Sequence, residues 1–112
     1  SMNTDSPSNE IRKGLLMLAV LNVIGAKKSY AGEILSALNK TEFSTQEGTL
    51  YPMLSRLKRE GYINHEWVES KSGPPRKYYY LSESGLTKSK ELSRYMDKLQ
   101  IQLKLLGGSR NE

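Results

Sequence analysis

The chain has 112 residues, a formal net charge of +5 and no cysteine. A chain of this length forms one small domain with a modest buried core. The lack of cysteines excludes disulfide bonds and thiolate metal sites, and a single histidine leaves little for an imidazole-based metal cluster. We therefore expect no metal and no cofactor. The longest apolar stretch, residues 15–24, is too short to cross a bilayer. The sequence predicts a cytoplasmic protein that does not enter the membrane and whose basic surface attracts polyanions.

The N-terminal residues are polar and show no apolar periodicity. Ser1 precedes Met2, an order typical of a residue left by tag cleavage. We divide the chain into residues 1–9 outside the fold, a main domain over 10–82, a C-terminal helix over 83–106 and a flexible tail over 107–112.

Two helices are predicted at the start of the main domain. Residues 10–24 are apolar almost all round, and Gly25 is typical of a helix end. Such a helix must be covered on more than one side, and a small domain has few elements to do this. One face of the first helix is therefore expected to contact a partner chain. Ser29 is placed to cap a second helix, which ends near Lys40.

The third helix has the clearest start, stop and repeat signals of the predicted helices. Ser44 and Glu47 have the spacing of a capping box, with Thr45 as an alternative cap, and Gly61 is the predicted stop. Between them, leucines repeat at helical spacing, at Leu50, Leu54 and Leu57. This pattern predicts a helix that buries one leucine stripe.

The opposite face of the third helix is small and polar at its start and basic at its end. Pro52 is accommodated there because the residue four positions earlier is Gly48. The outward residues are Thr45, Gly48, Pro52, Ser55, Arg56 and Arg59. Such a face suits a helix that enters a DNA groove while its arginines contact phosphates.

A hairpin follows. Residues 62–69 alternate in polarity and residues 77–81 are aromatic, so both predict strands. The connector, residues 70–76, is rich in Gly and Pro and is predicted to be a loop with Lys71 and Arg76 at its tip. Three helices followed by a basic-tipped hairpin is the order of a winged helix-turn-helix.

The last helix, with Ser82 as its cap, carries a seam of apolar residues. Leu92, Met96, Leu99, Leu103 and Leu106 alternate in steps of four and three. The seam spans only about two heptads, too short for an autonomous coiled coil. We expect it to pair with the first helix in a homodimer, with an interface of Leu15, Leu18, Asn22, Leu92, Met96, Leu99, Leu103 and Leu106. The predicted fold is mainly α with a small β-hairpin: a winged helix-turn-helix plus a C-terminal dimerisation helix.

Two motifs resemble the PadR family of bacterial transcriptional regulators, in its short subgroup with one C-terminal helix. They are GTLYPMLSRLKREGYI at residues 48–63 and SGPPRKYYYLSESG at residues 72–85, with a tryptophan between them. The resemblance implies a winged helix-turn-helix, dimerisation through the first and last helices, and operator binding that usually represses neighbouring genes. The chain departs from the family's H-G-Y-E-like start of the second helix, because residues 30–33 read YAGE. Gly32 stands where the family commonly has tyrosine. Any DNA contact that this tyrosine makes in relatives is therefore not carried over to this chain. Whether Tyr30 takes its place stays open.

These observations predict a double-stranded DNA operator with a pseudo-palindromic sequence as the partner. We expect Thr45, Gln46 and Thr49 to contact base edges. The basic residues are expected to contact phosphates. The predicted DNA-binding residues are Thr45, Gln46, Thr49, Tyr51, Arg56, Arg59, Lys71, Arg76 and Lys77.

Several alternatives are kept. A winged-helix interaction module without DNA binding fits the loss at Gly32, and no catalytic arrangement of side chains is visible, which disfavours an enzyme. A small aromatic effector is a further hypothesis, with Asn22, Tyr95 and Met96 around a cavity between subunits; alternatively, these side chains fill the dimer core. The aromatic residues of the hairpin, Trp67 and Tyr78–Tyr80, are interpreted as strand-packing residues.

Overall fold

The computed structural model describes residues 6–108, which form four helices and one antiparallel hairpin. The elements are α1 (Pro7–Ala26), α2 (Ala31–Asn39), α3 (Glu47–Arg59), β1 (Ile63–Ser70), β2 (Gly73–Leu81) and α4 (Glu83–Gly107). The predicted fold class, mainly helical with a small hairpin, is confirmed. Within the described residues, none of the helices is both long enough and apolar enough to span a bilayer.

Helix α1 begins earlier than the sequence predicted. The Ser6 hydroxyl accepts a hydrogen bond from the Asn9 amide at 3.1 Å, and Pro7 takes the first helical position, where its missing N–H has no partner to lose. The predicted boundary at residue 10 was therefore too late. The remaining predicted terminal segments, residues 1–5 and 109–112, lie outside the described residues.

The core lies where α1, α2, α3 and the base of the hairpin meet. Its residues are Leu16, Val20, Leu21, Ile24, Ala31, Ile34, Leu38, Leu50, Leu54, Leu57, Ile63 and Tyr79. The three leucines of α3 are at most 1% exposed, as their spacing predicted. Full burial of a leucine side chain stabilises the fold by about 1.5–3 kcal/mol, so this stripe fixes α3 against the rest of the chain.

Ser29 does not cap α2, which was a wrong prediction. Tyr30 is the N-cap residue, while Ser29 is buried and forms an isolated β-bridge with Tyr79. The Ser29 amide donates to the Tyr79 carbonyl at 3.1 Å, and the Tyr79 amide donates back at 2.9 Å. Because these bonds require extended backbone, the helix starts after them. The chain before α2 thus runs beside β2 and joins the hairpin to the helices.

Helix α3 also begins later than expected. The predicted caps are engaged elsewhere, since the Ser44 hydroxyl donates to the Asn39 side-chain oxygen at 2.8 Å and the Thr45 amide donates to the same atom at 3.1 Å. Gln46 is the N-cap residue instead, with extended backbone at φ −123°. The helix then continues through Pro52, and Gly61 follows its end at φ +83°, a conformation that favours glycine.

The hairpin is longer than predicted. Its strands run so close to the turn that residues 71–72 alone separate them, and the predicted loop over 70–76 was wrong. Pro74 and Pro75 lie in β2, between the pairs Val68–Arg76 and Ser70–Gly73, where the register shifts. Prolines are tolerated at such an irregularity because no ladder hydrogen bond has to be donated there. We call this hairpin the wing.

Helix α4 starts as predicted. The Ser82 hydroxyl accepts from the Gly85 amide at 3.1 Å, which is the expected N-cap bond. Gly85 is buried against the Tyr62 carbonyl, and a Cβ atom at this position would overlap that oxygen. The first turn of α4 therefore packs directly on the backbone at the start of the wing.

Candidate nucleic-acid interface

The solvent face of α3 is the centre of the candidate interface. Since Leu50, Leu54 and Leu57 are buried, a rotation of about 100° per residue places the opposite face in solvent. The residues on that face are all exposed: Gly48, Pro52, Ser55, Arg56 and Arg59. The small residues at its start leave room for close approach, and the arginines at its end carry positive charge.

Arg56 has a carboxylate partner at the end of its own helix. The Arg56 Nε atom donates to the Glu60 carboxylate at 3.0 Å, one helical turn further on. An exposed pair of this kind contributes little to stability, so it holds the side chain only weakly. A phosphate can therefore replace Glu60 as the partner of Arg56 with little loss of free energy.

The start of α3 lies beside the first turns of α1. Thr45 and Thr49 share a shallow concavity of about 160 Å³ with Arg12 and Lys13. Arg12 also lies 3.7 Å from the exposed Glu42 carboxylate. Sequence reasoning missed these two cations, although two adjacent basic residues directly before a long apolar run were a visible signal. They add positive charge on one flank of α3.

The wing supplies positive charge on the other flank. Tyr51 and Ser55 of α3 face Trp67, Arg76 and Lys77 across a cleft of about 490 Å³. Three of the predicted DNA-binding residues, Tyr51, Arg76 and Lys77, are thus brought together. Lys71 lies apart from them, in the two-residue turn at the tip of the wing.

The hairpin aromatics were only partly interpreted correctly. Tyr79 is 7% exposed and belongs to the core, but Trp67 is 64% exposed, so it is not a strand-packing residue. Its ring lies 5.2 Å from the Lys77 ammonium nitrogen. The alternation that places Ile63 inward carries Trp67 beyond the edge of the core, because the wing extends further than the helices beneath it.

Base-reading candidates lie at the N-terminal end of α3. Gln46 and Thr49 are exposed, and Thr45 is half-buried. Gln46 is the N-cap residue of α3, but its side chain makes no capping hydrogen bond with the helix. Thr45 is more restricted, since its backbone is held by Asn39.

His65 on the wing and Lys28 in the segment before α2 have shifted pKa values. Burial lowers the pKa of His65, and the positive charges of Lys77 and Lys58 lower it further, so the folded chain favours the neutral ring. A hydrogen bond and charge attraction from Glu66 raise the pKa of Lys28, which donates to that carboxylate at 2.8 Å. Lys28 is thereby engaged in holding the wing to the segment before α2.

A second surface, an apolar groove of about 660 Å³, lies between α1 and α4. Six residues of the predicted dimer interface line it: Leu15, Leu18, Leu92, Met96, Leu99 and Leu103. Asn22 is not among them, and its side-chain oxygen accepts from the Ser89 hydroxyl at 3.1 Å. Leu106 lies beyond the groove and is 83% exposed. The predicted effector residues therefore do not converge within one chain: Tyr95 and Met96 line the groove, and Asn22 does not.

Comparison with known proteins identifies the family. The model of the transcriptional regulator PadR-like family matches residues 20–91, which include α2, α3 and the wing. No sequence among curated proteins matches the chain.

Solved structures agree with the family match. A PadR-like transcription factor from Bacteroides fragilis is 36% identical, with a TM-score of 0.75 over 86% of this chain and 93% of that one. A PadR-like transcriptional regulator from Bacillus cereus is 30% identical, with a TM-score of 0.80 over 89% and 98% of the two chains. A PadR family regulator from Eggerthella lenta is 28% identical, with a TM-score of 0.80 over 89% and 88%. The chain therefore belongs to the PadR-like family of transcriptional regulators.

Proposed function

We propose that a homodimer of this chain binds a pseudo-palindromic operator in double-stranded DNA and represses transcription. The observation that carries this proposal is the arrangement of charge around α3. Its exposed polar face is flanked by Arg12 and Lys13 on one side and by Arg76 and Lys77 on the other. A groove-binding helix needs such cations on both sides, since the phosphate backbones border the groove on both sides.

The contacts divide into two kinds. Thr45, Gln46 and Thr49 are proposed to meet base edges in the major groove, where hydroxyl and amide groups read the donor and acceptor pattern. Tyr51 faces the cleft beside the wing. The proposed phosphate contacts are Arg56, Arg59, Lys71, Arg76 and Lys77, and we add Arg12 and Lys13 because they line one concavity with Thr45 and Thr49. These contacts set affinity and register, whereas the base contacts set sequence preference.

The dimer is proposed to form through the groove between α1 and α4. Tyr95 and Leu103, which line the groove, are 56% and 67% exposed in the single chain. A two-fold dimer covers identical patches on both copies and presents two α3 helices to two half-sites. Such a regulator acts in the compartment that holds the DNA, so the proposal includes a cytoplasmic location. A small aromatic effector, if one acts on this chain, would meet Tyr95 and Met96 at that interface.

The test begins with selection of bound sequences from random double-stranded DNA. Titrations of the selected operator and of a scrambled duplex follow, at several salt concentrations. We expect tighter binding to the operator and an affinity for both duplexes that falls steeply with salt. Footprinting should show two protected half-sites about one helical turn apart. Binding to neither duplex would contradict the proposal and favour a protein-interaction module.

Repression is tested separately. The selected operator is placed between a promoter and a reporter, and the reporter is measured with and without the protein. We expect lower expression with the protein, and no change when the operator is scrambled. Higher expression would make the chain an activator.

A further inference from the structure

Tyr30 lies at the junction between α2 and the wing. The Tyr78 ring meets it edge to face, with ring centroids 5.4 Å apart and planes at 72°. The guanidinium carbon of Arg76 lies 4.4 Å from the centre of the Tyr30 ring. Arg76 and Tyr78 are two residues apart on β2 and therefore share one face of the wing. One aromatic ring of the helical part thus contacts two successive side chains of the wing.

The backbone fixes where this ring lies. Ser29 is hydrogen-bonded in both directions to Tyr79, directly before Tyr30 in the chain. Lys28 donates to Glu66 on β1 at 2.8 Å. The segment that carries Tyr30 is therefore bound to both strands of the wing, and the ring contacts with Arg76 and Tyr78 are a feature of the fold rather than of one loose side chain.

Gly32 leaves the space that the ring occupies. A Cβ atom at this position would lie 2.8 Å from Cε2 and 3.4 Å from Cδ2 of Tyr30, and the first of these distances is shorter than carbon atoms tolerate. Gly32 lies within α2, where alanine is otherwise preferred to glycine. An alanine at position 32 would therefore displace the Tyr30 ring without straining the helix.

We propose that Tyr30 and Gly32 together position Arg76 for the DNA backbone. Tyr30 holds the guanidinium group against its ring, and Gly32 leaves the room that the ring needs. An arginine stacked on an aromatic face keeps its N–H edges available for a phosphate. A side chain that is ordered before binding loses less entropy when it makes the contact. Tyr30 is thus a positioning residue that acts through Arg76, and the inference rests on the proposed function.

The test compares operator affinity and its salt dependence among single and double variants. Tyr30→Ala and Gly32→Ala are expected to weaken binding about two- to fivefold, the size of an exposed cation–π contact, with an unchanged salt slope because the charge of Arg76 remains. Arg76→Ala is expected to reduce the slope by about one. Tyr30→Phe keeps the ring and should restore the affinity lost in Tyr30→Ala. Ser36→Ala, an exposed change one turn further along α2, is the matched control and should bind like the unmodified protein.

A double-mutant cycle decides whether Tyr30 acts through Arg76. If it does, Tyr30→Ala adds no further loss in a chain that already carries Arg76→Ala. Losses that add would overturn the inference, as would unchanged affinity in a folded Tyr30→Ala protein. Circular dichroism checks the fold. Should Tyr30→Ala not fold, Tyr30→Leu keeps apolar bulk without an aromatic face, and the same loss and the same cycle are expected from it.

A readout without DNA separates this inference from the proposed function. The Arg76 guanidinium lies 4.4 Å from the centre of the Tyr30 ring, so the ring current of Tyr30 should shift the Arg76 side-chain resonances upfield in nuclear magnetic resonance spectra of the free protein. We expect this shift in the unmodified protein, in Tyr30→Phe and in Ser36→Ala, and its loss in Tyr30→Ala and Gly32→Ala. Unchanged Arg76 resonances in both of the last two variants would overturn the role of Tyr30 in holding Arg76. Absence of operator binding by the unmodified protein would instead overturn the proposed function.

Discussion

Helices α3 and α4 both carry leucines at helical spacing, yet they use them differently. Leu50 and Leu54 of α3 are at most 1% exposed, whereas Leu103 and Leu106 of α4 are 67% and 83% exposed. The difference lies in their position relative to the core: Leu50 and Leu54 belong to it, whereas of the α4 seam Leu92 packs against the core and Leu103 and Leu106 lie further along the helix. An apolar stripe therefore shows that a helix must be covered, but it does not show whether the cover lies in the same chain.

Replacement of Leu54 by alanine should give the largest loss of stability. The side chain is 1% exposed, so its removal leaves a cavity in addition to the lost burial. We expect the free energy of unfolding to fall by about 2–5 kcal/mol, measured by urea denaturation. Leu105→Ala is the matched control, because the same change at a 74% exposed position outside the predicted seam should alter stability by less than about 0.5 kcal/mol. Equal losses at the two positions would contradict the contrast between the helices.

Replacement of Leu99 by glutamate should break the proposed dimer. Leu99 lines the groove between α1 and α4, and a carboxylate there would be buried without a partner. We expect sedimentation to show a monomer or an unfolded chain, whereas the unmodified protein should be a dimer that dissociates on dilution. A stable monomer of the unmodified protein at micromolar concentration would show that the groove is not a dimer interface.

Substitutions on α3 should change the sequence preference of DNA binding, whereas substitutions at the tip of the wing should change the affinity for all DNA. Gln46→Ala or Thr49→Ala is expected to change the preference between operators by about 1–3 kcal/mol, since base contacts carry sequence information. Lys71→Ala should weaken binding to operator and scrambled DNA alike and reduce the salt slope by about one, with specificity retained. Gel-shift titrations at several salt concentrations distinguish the two results. If neither group changes operator affinity, the proposed interface is wrong.

The smallest expected effect is the contribution of His65 to the pH dependence of stability. Its pKa is lowered in the folded chain, chiefly by burial, so the folded state favours the neutral ring. Protonation then favours unfolding, and the stability contributed by the neutral ring should be lost as pH falls below the unfolded-state value of about 6.5. Thermal melting between pH 7 and pH 5 should show a smaller decrease in His65→Gln than in the unmodified protein. The same decrease in both would mean that other groups cause the pH dependence.

Local patterns predicted the elements better than their ends. The leucine spacing of α3 and the Ser82 cap of α4 were read correctly, because each depends on residues within one turn. The caps predicted at Ser29 and Ser44 were wrong for one reason. Both residues are engaged by distant partners, Tyr79 and Asn39, which local spacing does not reveal.

The sequence by itself determined the helix order, the basic wing and the family, since these depend on composition, on spacing and on two motifs that are continuous in the chain. The tertiary structure decided which side chains meet. It brought Arg12 and Lys13 beside α3, separated Asn22 from the groove, and placed Arg76 on Tyr30. These contacts join residues that are far apart in the chain, and only the packing of helices and wing against one core brings them within reach of each other.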